Sequence, residues 1–131
     1  MTADPTDPAE IATWLLTTIR REVAGAEALA QETDLVTTLG ERTLGPGGGE
    51  RFIEHIRSNS EAKIKIVEMF NRNRAVIDEL ESCISAGASL SGRDAQLLAA
   101  AVIRDEALAK AVAETAHGYR FRPGWREEWR P

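Results

Sequence analysis

Ala12, Leu15, Leu16, Ile19, Val23, Ala26 and Ala30 recur at helical spacing, with Ile11 and Trp14 widening the stripe at its start. Just ahead of them, Asp7 is a good N-cap and Pro8 suits the first helical position. Glu10 completes the spacing of a capping box. The pattern predicts a helix over 7–32. It fades in "QETDLVTT", and "LGERTLGPGGGE" then breaks it with a proline and a run of glycines. Residues 39–49 read as a flexible Gly-rich connector. A phosphate loop is excluded there, because no apolar strand precedes the glycines and no Lys-Ser/Thr follows them.

A short helix is expected over 50–56. Asn59 or Ser60 would then cap a long helix over 60–85. Along it, positions 66, 70, 73, 77, 80 and 84 alternate steps of four and three, which is a heptad seam. Glu61–Lys65 and Glu68–Arg72 are favourable i,i+4 pairs on another face, and Gly87 can close the helix. Ser91 or Asp94 opens a last helix over 92–117, with Leu97, Leu98, Ala101, Val102, Leu108 and Val112 as its stripe. Asp105 falls inside that stripe and is expected to kink or recap the helix. Gly118 ends it. Strand vocabulary is thin, with no alternation and no Asn-Gly hairpin. The fold class is therefore all-α, a three- or four-helix bundle with an aromatic, Arg-rich C-terminal tail (118–131) packed on it, in one domain.

The 131 residues, 43% of them apolar, are enough for a single core. A net charge of -5 is too small for a disordered chain of this apolar content. No apolar run approaches the roughly 20 residues of a membrane span. The start, "MTADPTDPAE", is acidic and polar, unlike a secretory signal. The single cysteine, Cys83, forbids an internal disulfide. Together these features predict a cytoplasmic protein. The acids crowd the first third: residues 1–45 carry eight acids and three bases, whereas 86–131 carry six and seven. No general nucleic-acid footprint results, so only the tail could supply one.

Candidate chemistry is sparse. His55, Cys83 and His117 are the only soft metal ligands and none has zinc-site spacing. With two histidines and no spaced partners, neither a Ser-His-Asp nor a Cys-His arrangement is present. Glu50 with Glu54, and Asp78 with Glu81, place two carboxylates on a helix face. Paired carboxylates of this kind hold magnesium in helical nucleotide hydrolases. Here they alternate with Arg51, Arg57 and Arg74, which favours a solvated, salt-bridged face. No metal or cofactor is expected. Asn73 sits in the seam formed by Ile66, Phe70, Ile77 and Leu80. It either meets water at the edge or joins a buried network that fixes register or self-association.

The tail, "GYRFRPGWREEWRP", is the richest stretch. It holds four of the seven aromatic residues and four arginines. Tyr119 and Phe121 alternate with Arg120 and Arg122, Pro123-Gly124 is a turn, and Trp125 and Trp129 are four apart, as are Arg126 and Arg130. The aromatics either fold back to close the core, or form a docking strip of hot-spot residue types. Base stacking with phosphate pairing is the third reading.

The pattern Y-x-x-x-P-x-W-REEWRP over 119–131 resembles the ending of a family of small actinobacterial and actinophage proteins, a domain of unknown function. Its members typically close on a tyrosine, a His-Pro pair and YREEWRP. "EHIRSNSEAKIKIVE" (54–68) resembles that family's middle motif, HIARHDPARVLREVE. His55 matches its leading histidine, while Asn59 and Arg122 stand where the second and third usually are. The resemblance implies a bacterial or prophage origin and no particular chemistry.

The sequence thus predicts a non-enzymatic helical protein-binding module. Its partner-binding or structural tail would comprise Tyr119, Phe121, Arg122, Trp125, Arg126, Trp129 and Arg130. Self-association would run through Ile66, Phe70, Asn73, Ile77 and Leu80. The alternatives are a metal-dependent nucleotide hydrolase built on Glu50, Glu54, Asp78 and Glu81, and a nucleotide or nucleic-acid binder using the C-terminal arginines.

Overall fold

Asp7 caps the first helix as its position suggests. Its carboxylate accepts the Ala9 N–H at 3.1 Å, and its carbonyl accepts those of Glu10 and Ile11. A computed structural model of the chain describes residues 7–131, apart from the side chains at 30 and 33–37. Ala30, expected in the first stripe, lies outside the described side chains. Four α-helices follow one another: α1 Pro8–Gln31, α2 Thr33–Leu44, α3 Gly48–Ser85 and α4 Gly92–His117, and a short 3-10 turn covers Glu127–Trp129. No strand occurs among the described residues, and the fold is all-α as expected.

Two boundaries differ from the pattern. The stretch expected to be a loose connector is largely helix, since α2 reaches Leu44 and only a corner at 45–47 separates it from α3. Helix 50–56 and helix 60–85 are one continuous helix of 38 residues. Asn59 and Ser60, expected as caps, are interior residues, and Ser60 is buried. A non-ideal helix former costs at most about 0.7 kcal/mol per residue. An unbroken buried series at Ile53, Ser60 and Val67 outweighs that. Helix α4 matches its expected bounds. Ser91 is its cap and accepts the Asp94 N–H at 3.1 Å. Where α3 ends, Ala88 N–H reaches back to Cys83 O at 3.0 Å, the bond expected of a glycine-terminated helix at Gly87.

The chain divides into two compact units, Met1–Leu15 with Ile66–Pro131, and Leu16–Lys65. In the first, Ile11, Ala12 and Leu15 of α1, Val67, Phe70 and Ile77 of α3, and Ala101, Val112 and Ala116 of α4 are buried, with Tyr119 and Trp129 beyond them. Each large apolar side chain removed from water here stabilises by roughly 1.5–3 kcal/mol. Polar groups inside this unit are matched. Asn73 is buried and donates Nδ2–H to the carbonyl of Ala101 at 2.8 Å, while Arg74 Nε–H meets Asp105 Oδ1 at 2.6 Å. Asp105 does not recap α4, which runs unbroken from Gly92 to His117, and a guanidinium of α3 answers its charge.

In the second unit Thr18, Ile19, Ala26, Ile53 and Ser60 are buried. The α2–α3 corner is held by contact between backbones. A Cβ on Gly40 would run into Gly49 Cα and N. One on Gly48 would meet Leu44 Cβ and lie 2.9 Å from Gly40 O. Gly40 and Gly48 are therefore there for close approach, so the Gly-rich stretch is an ordered helix–helix corner and the flexible-connector reading is corrected.

Candidate functional site

Three tryptophans meet in the first unit. Trp125 and Trp129 both lie against Trp14 of α1, with ring centroids 5.8 and 5.4 Å away, and against each other at 5.7 Å with their planes nearly perpendicular. Tilted and edge-on arrangements at these separations suit the ring quadrupoles. The Trp14 indole N–H donates to Pro123 O at 2.9 Å. Gly124 crosses directly over that ring with φ 91°, and a Cβ there would come within 2.7 Å of Trp14 Nε1. Only glycine fits both the backbone conformation and the space.

Charges rim this cluster. Arg126 reaches Glu10 of α1 at 3.5 Å and sits 5.5 Å from the centre of the Trp129 ring. Arg130 donates from Nε and Nη2 to Glu127 Oε2 at 3.1 and 3.0 Å, and its Nη1 stands 3.4 Å from His117 Nε2. Those Arg130 hydrogen bonds hold the Glu127 carboxyl below the usual glutamate range. The indole N–H of Trp125, 3.3 Å from Glu127 Oε1, adds to the effect, as does nearby His117.

Of the tail residues singled out by sequence, Tyr119 and Trp129 are buried and Trp125 is half-buried. Trp129 retains 5% exposure. Phe121 is the exception at 83%, with the Arg120 guanidinium lying 4.5 Å above its ring. Arg122, Arg126 and Arg130 are exposed. Most of the aromatic payload thus faces the chain's own helices. Trp14 is the residue that sequence reading underrated. By spacing it reads as one more apolar position in the α1 stripe, although it is the only tryptophan outside the tail.

Of the seam residues, Phe70, Asn73 and Ile77 are buried and Ile66 and Leu80 are half-buried. Asn73 is in a network with α4 of its own chain: besides donating to Ala101, its Oδ1 faces Arg104 Nη1 at 3.4 Å. On the flank of this pairing Met69, Arg72, Asn73 and Val76 of α3, with Arg104 and Leu108 of α4, line a concavity of about 340 Å³.

No protein-family model, curated protein or solved structure matches the chain.

Glu50, Glu54, Asp78 and Glu81 are all exposed, as are His55 and Cys83. Among the described residues, no group of three or more His, Cys, Asp or Glu stands close enough to hold a metal ion. No described helix is long and apolar enough to cross a membrane.

The two α3–α4 helices keep large apolar side chains at the surface. Met69 and Leu97 retain 46% and 45% exposure, and Ile84, Val102 and Ile103 are also exposed. Helix α4 buries only Ala101, Val112 and Ala116 over its 26 residues.

Proposed function

We propose that this chain is a non-enzymatic helical module that binds another protein. The observation that carries the reading is the unequal treatment of its apolar residues. Both tail tryptophans turn toward Trp14, while Met69, Leu97, Val102 and Ile103 of the α3–α4 pair stay in water. Exposed apolar groups clustered on one pair of helices mark interaction surfaces more often than isolated ones do. The tail arginines support this over a nucleic-acid reading. Arg126 and Arg130 already face Glu10 and Glu127, so they offer phosphates little unpaired charge. The likeness of residues 119–131 to the ending of actinobacterial and phage proteins supports a bacterial or prophage source, and the single cysteine supports a cytoplasmic setting.

The test is capture on the immobilised full-length chain from an extract of its source cells, followed by titration of the purified partner. Saturable, one-to-one binding is the expected result. Magnesium-dependent hydrolysis of a nucleotide by the purified chain, with no saturable partner, would replace this reading with the hydrolase one.

A further inference from the structure

The flank of the α3–α4 pair has the composition of a helix-binding groove. Its walls are Met69 and Val76 on one side and Leu108 on the other, with the Asn73 side chain at the floor. From Met69 to Val76 the apolar wall runs about 10 Å along α3, the length of two helical turns.

Two guanidiniums border this apolar strip, and they set the sign of whatever fills it. Arg72 makes no hydrogen bond or ion pair among the described residues. Arg104 has only the neutral Asn73 Oδ1, at 3.4 Å. Their neighbour Arg74 is different, being satisfied by Asp105 at 2.6 Å. In a chain whose net charge is -5, two arginines without a carboxylate beside exposed apolar groups are an unanswered local charge. Arginine suits this position, since its planar fork binds carboxylates in a bidentate fashion.

We infer that the groove lined by Met69, Val76 and Leu108 binds an amphipathic helix of about two turns from another protein, one that carries Asp or Glu beside its apolar stripe. The helix lays residues spaced i, i+3 or i+4, and i+7 against Met69, Val76 and Leu108. Its flanking carboxylates meet Arg72 and Arg104. This rests on the protein-binding reading above and adds the place and the chemistry of the partner.

The probe is a displayed library of helical peptides with randomised apolar and flanking positions, selected on the full-length chain. Enriched peptides should carry flanking Asp or Glu. Their affinity for the parent chain should fall as salt is raised, and at fixed salt it should fall at least tenfold for Arg72→Glu with Arg104→Glu. Peptides whose acids are exchanged for lysine should then bind that doubly reversed variant better than the parent chain. Because both arginines are exposed, circular dichroism should show the variant folded, and the lysine rescue confirms it independently. Phe52→Asp, which alters an exposed residue of the other unit, should leave binding unchanged. Enriched peptides indifferent to both arginines would overturn the groove while leaving the protein-binding reading standing. A dimer in sedimentation that Met69→Asp dissolves would assign the groove to a second copy and overturn the foreign helix. No enrichment on any face would overturn both readings.

Discussion

The indole N–H of Trp14 donates to the carbonyl of Pro123 at 2.9 Å, joining the first helix to the tail across 109 positions of sequence. Around that bond the tail closes on α1, through Trp125, Trp129 and the Arg126–Glu10 pair. Trp14 is half-buried, and the Pro123 carbonyl gives its indole N–H a partner without any side chain.

Trp129→Ala should lower stability by roughly 3–5 kcal/mol, as truncating a well-buried tryptophan does. Phe121→Ala removes an aromatic of similar hydrophobicity that stands in water, and should change stability by less than about 0.5 kcal/mol. Urea unfolding of both variants, followed by circular dichroism, separates the two cases.

Gly124→Ala should destabilise by more than about 1 kcal/mol. It adds a methyl where Trp14 Nε1 leaves only 2.7 Å and where the backbone lies at φ 91°. The indole N–H resonance of Trp14 should shift and lose its protection from exchange. An unmoved resonance would mean that the Pro123 contact does not form.

The corner between α2 and α3 makes a second glycine test. Gly48→Ala forces Leu44 and the Gly40 carbonyl apart and should cost about 1–3 kcal/mol. Gly25→Ala, exposed in α1 with nothing within 4 Å of the new methyl, should instead stabilise by about 0.5–1 kcal/mol. Melting temperatures moving in opposite directions would confirm the contrast.

What could be read in advance follows from how local each cause is. The Asp7 cap, the α4 bounds and the Gly87 terminus depend on residues within a few positions, and each was legible. The α2 helix was not, because Thr and Val are modest helix formers and Gly40 reads as a breaker. Its reason for being glycine is Gly49 on the neighbouring helix, which spacing alone does not reveal. The break expected at 57–60 failed similarly: Asn59 and Ser60 suit caps, yet the buried series through Ile53, Ser60 and Val67 carries the helix past them. In the candidate site the tail's aromatics were visible, and their receiver, Trp14, was hidden among ordinary stripe positions. The unpaired state of Arg72 and Arg104 depends on which carboxylates α3 and α4 bring near. The sequence offers Glu68 as an i,i+4 partner of Arg72, a pairing that does not form among the described residues.

Asn73→Ala should cost about 1–3 kcal/mol, from a lost buried hydrogen bond and the space left behind. Because Asn73 bonds to Ala101 of its own chain, the mass in sedimentation should stay that of the parent. A changed mass would return the seam to self-association.

Glu127 has a lowered pKa in the folded chain, caused first by the Arg130 hydrogen bonds. A depressed carboxyl contributes stability above its unfolded value, about 4.3. That contribution is lost as pH falls through the folded value. Both groups are exposed and screened by water, so Arg130→Ala should leave the thermal midpoint close to that of the parent. An NMR titration should still place the Glu127 midpoint below that of an ordinary glutamate and return it upward in Arg130→Ala.

If the tail belongs to the fold, its aromatics are not a docking strip, and the partner is left to apolar surface such as the α3–α4 groove. Thermal unfolding of a chain ending at Gly118 measures this most directly. Without Tyr119 and Trp129 the first unit loses two buried aromatics and the cover over Trp14. Against a typical domain stability of about 5–15 kcal/mol, that loss should abolish the cooperative transition or lower its midpoint by tens of degrees. A truncated chain that melts with the parent's midpoint and cooperativity would contradict it, and would make the tail, with its aromatics and arginines, the docking strip instead.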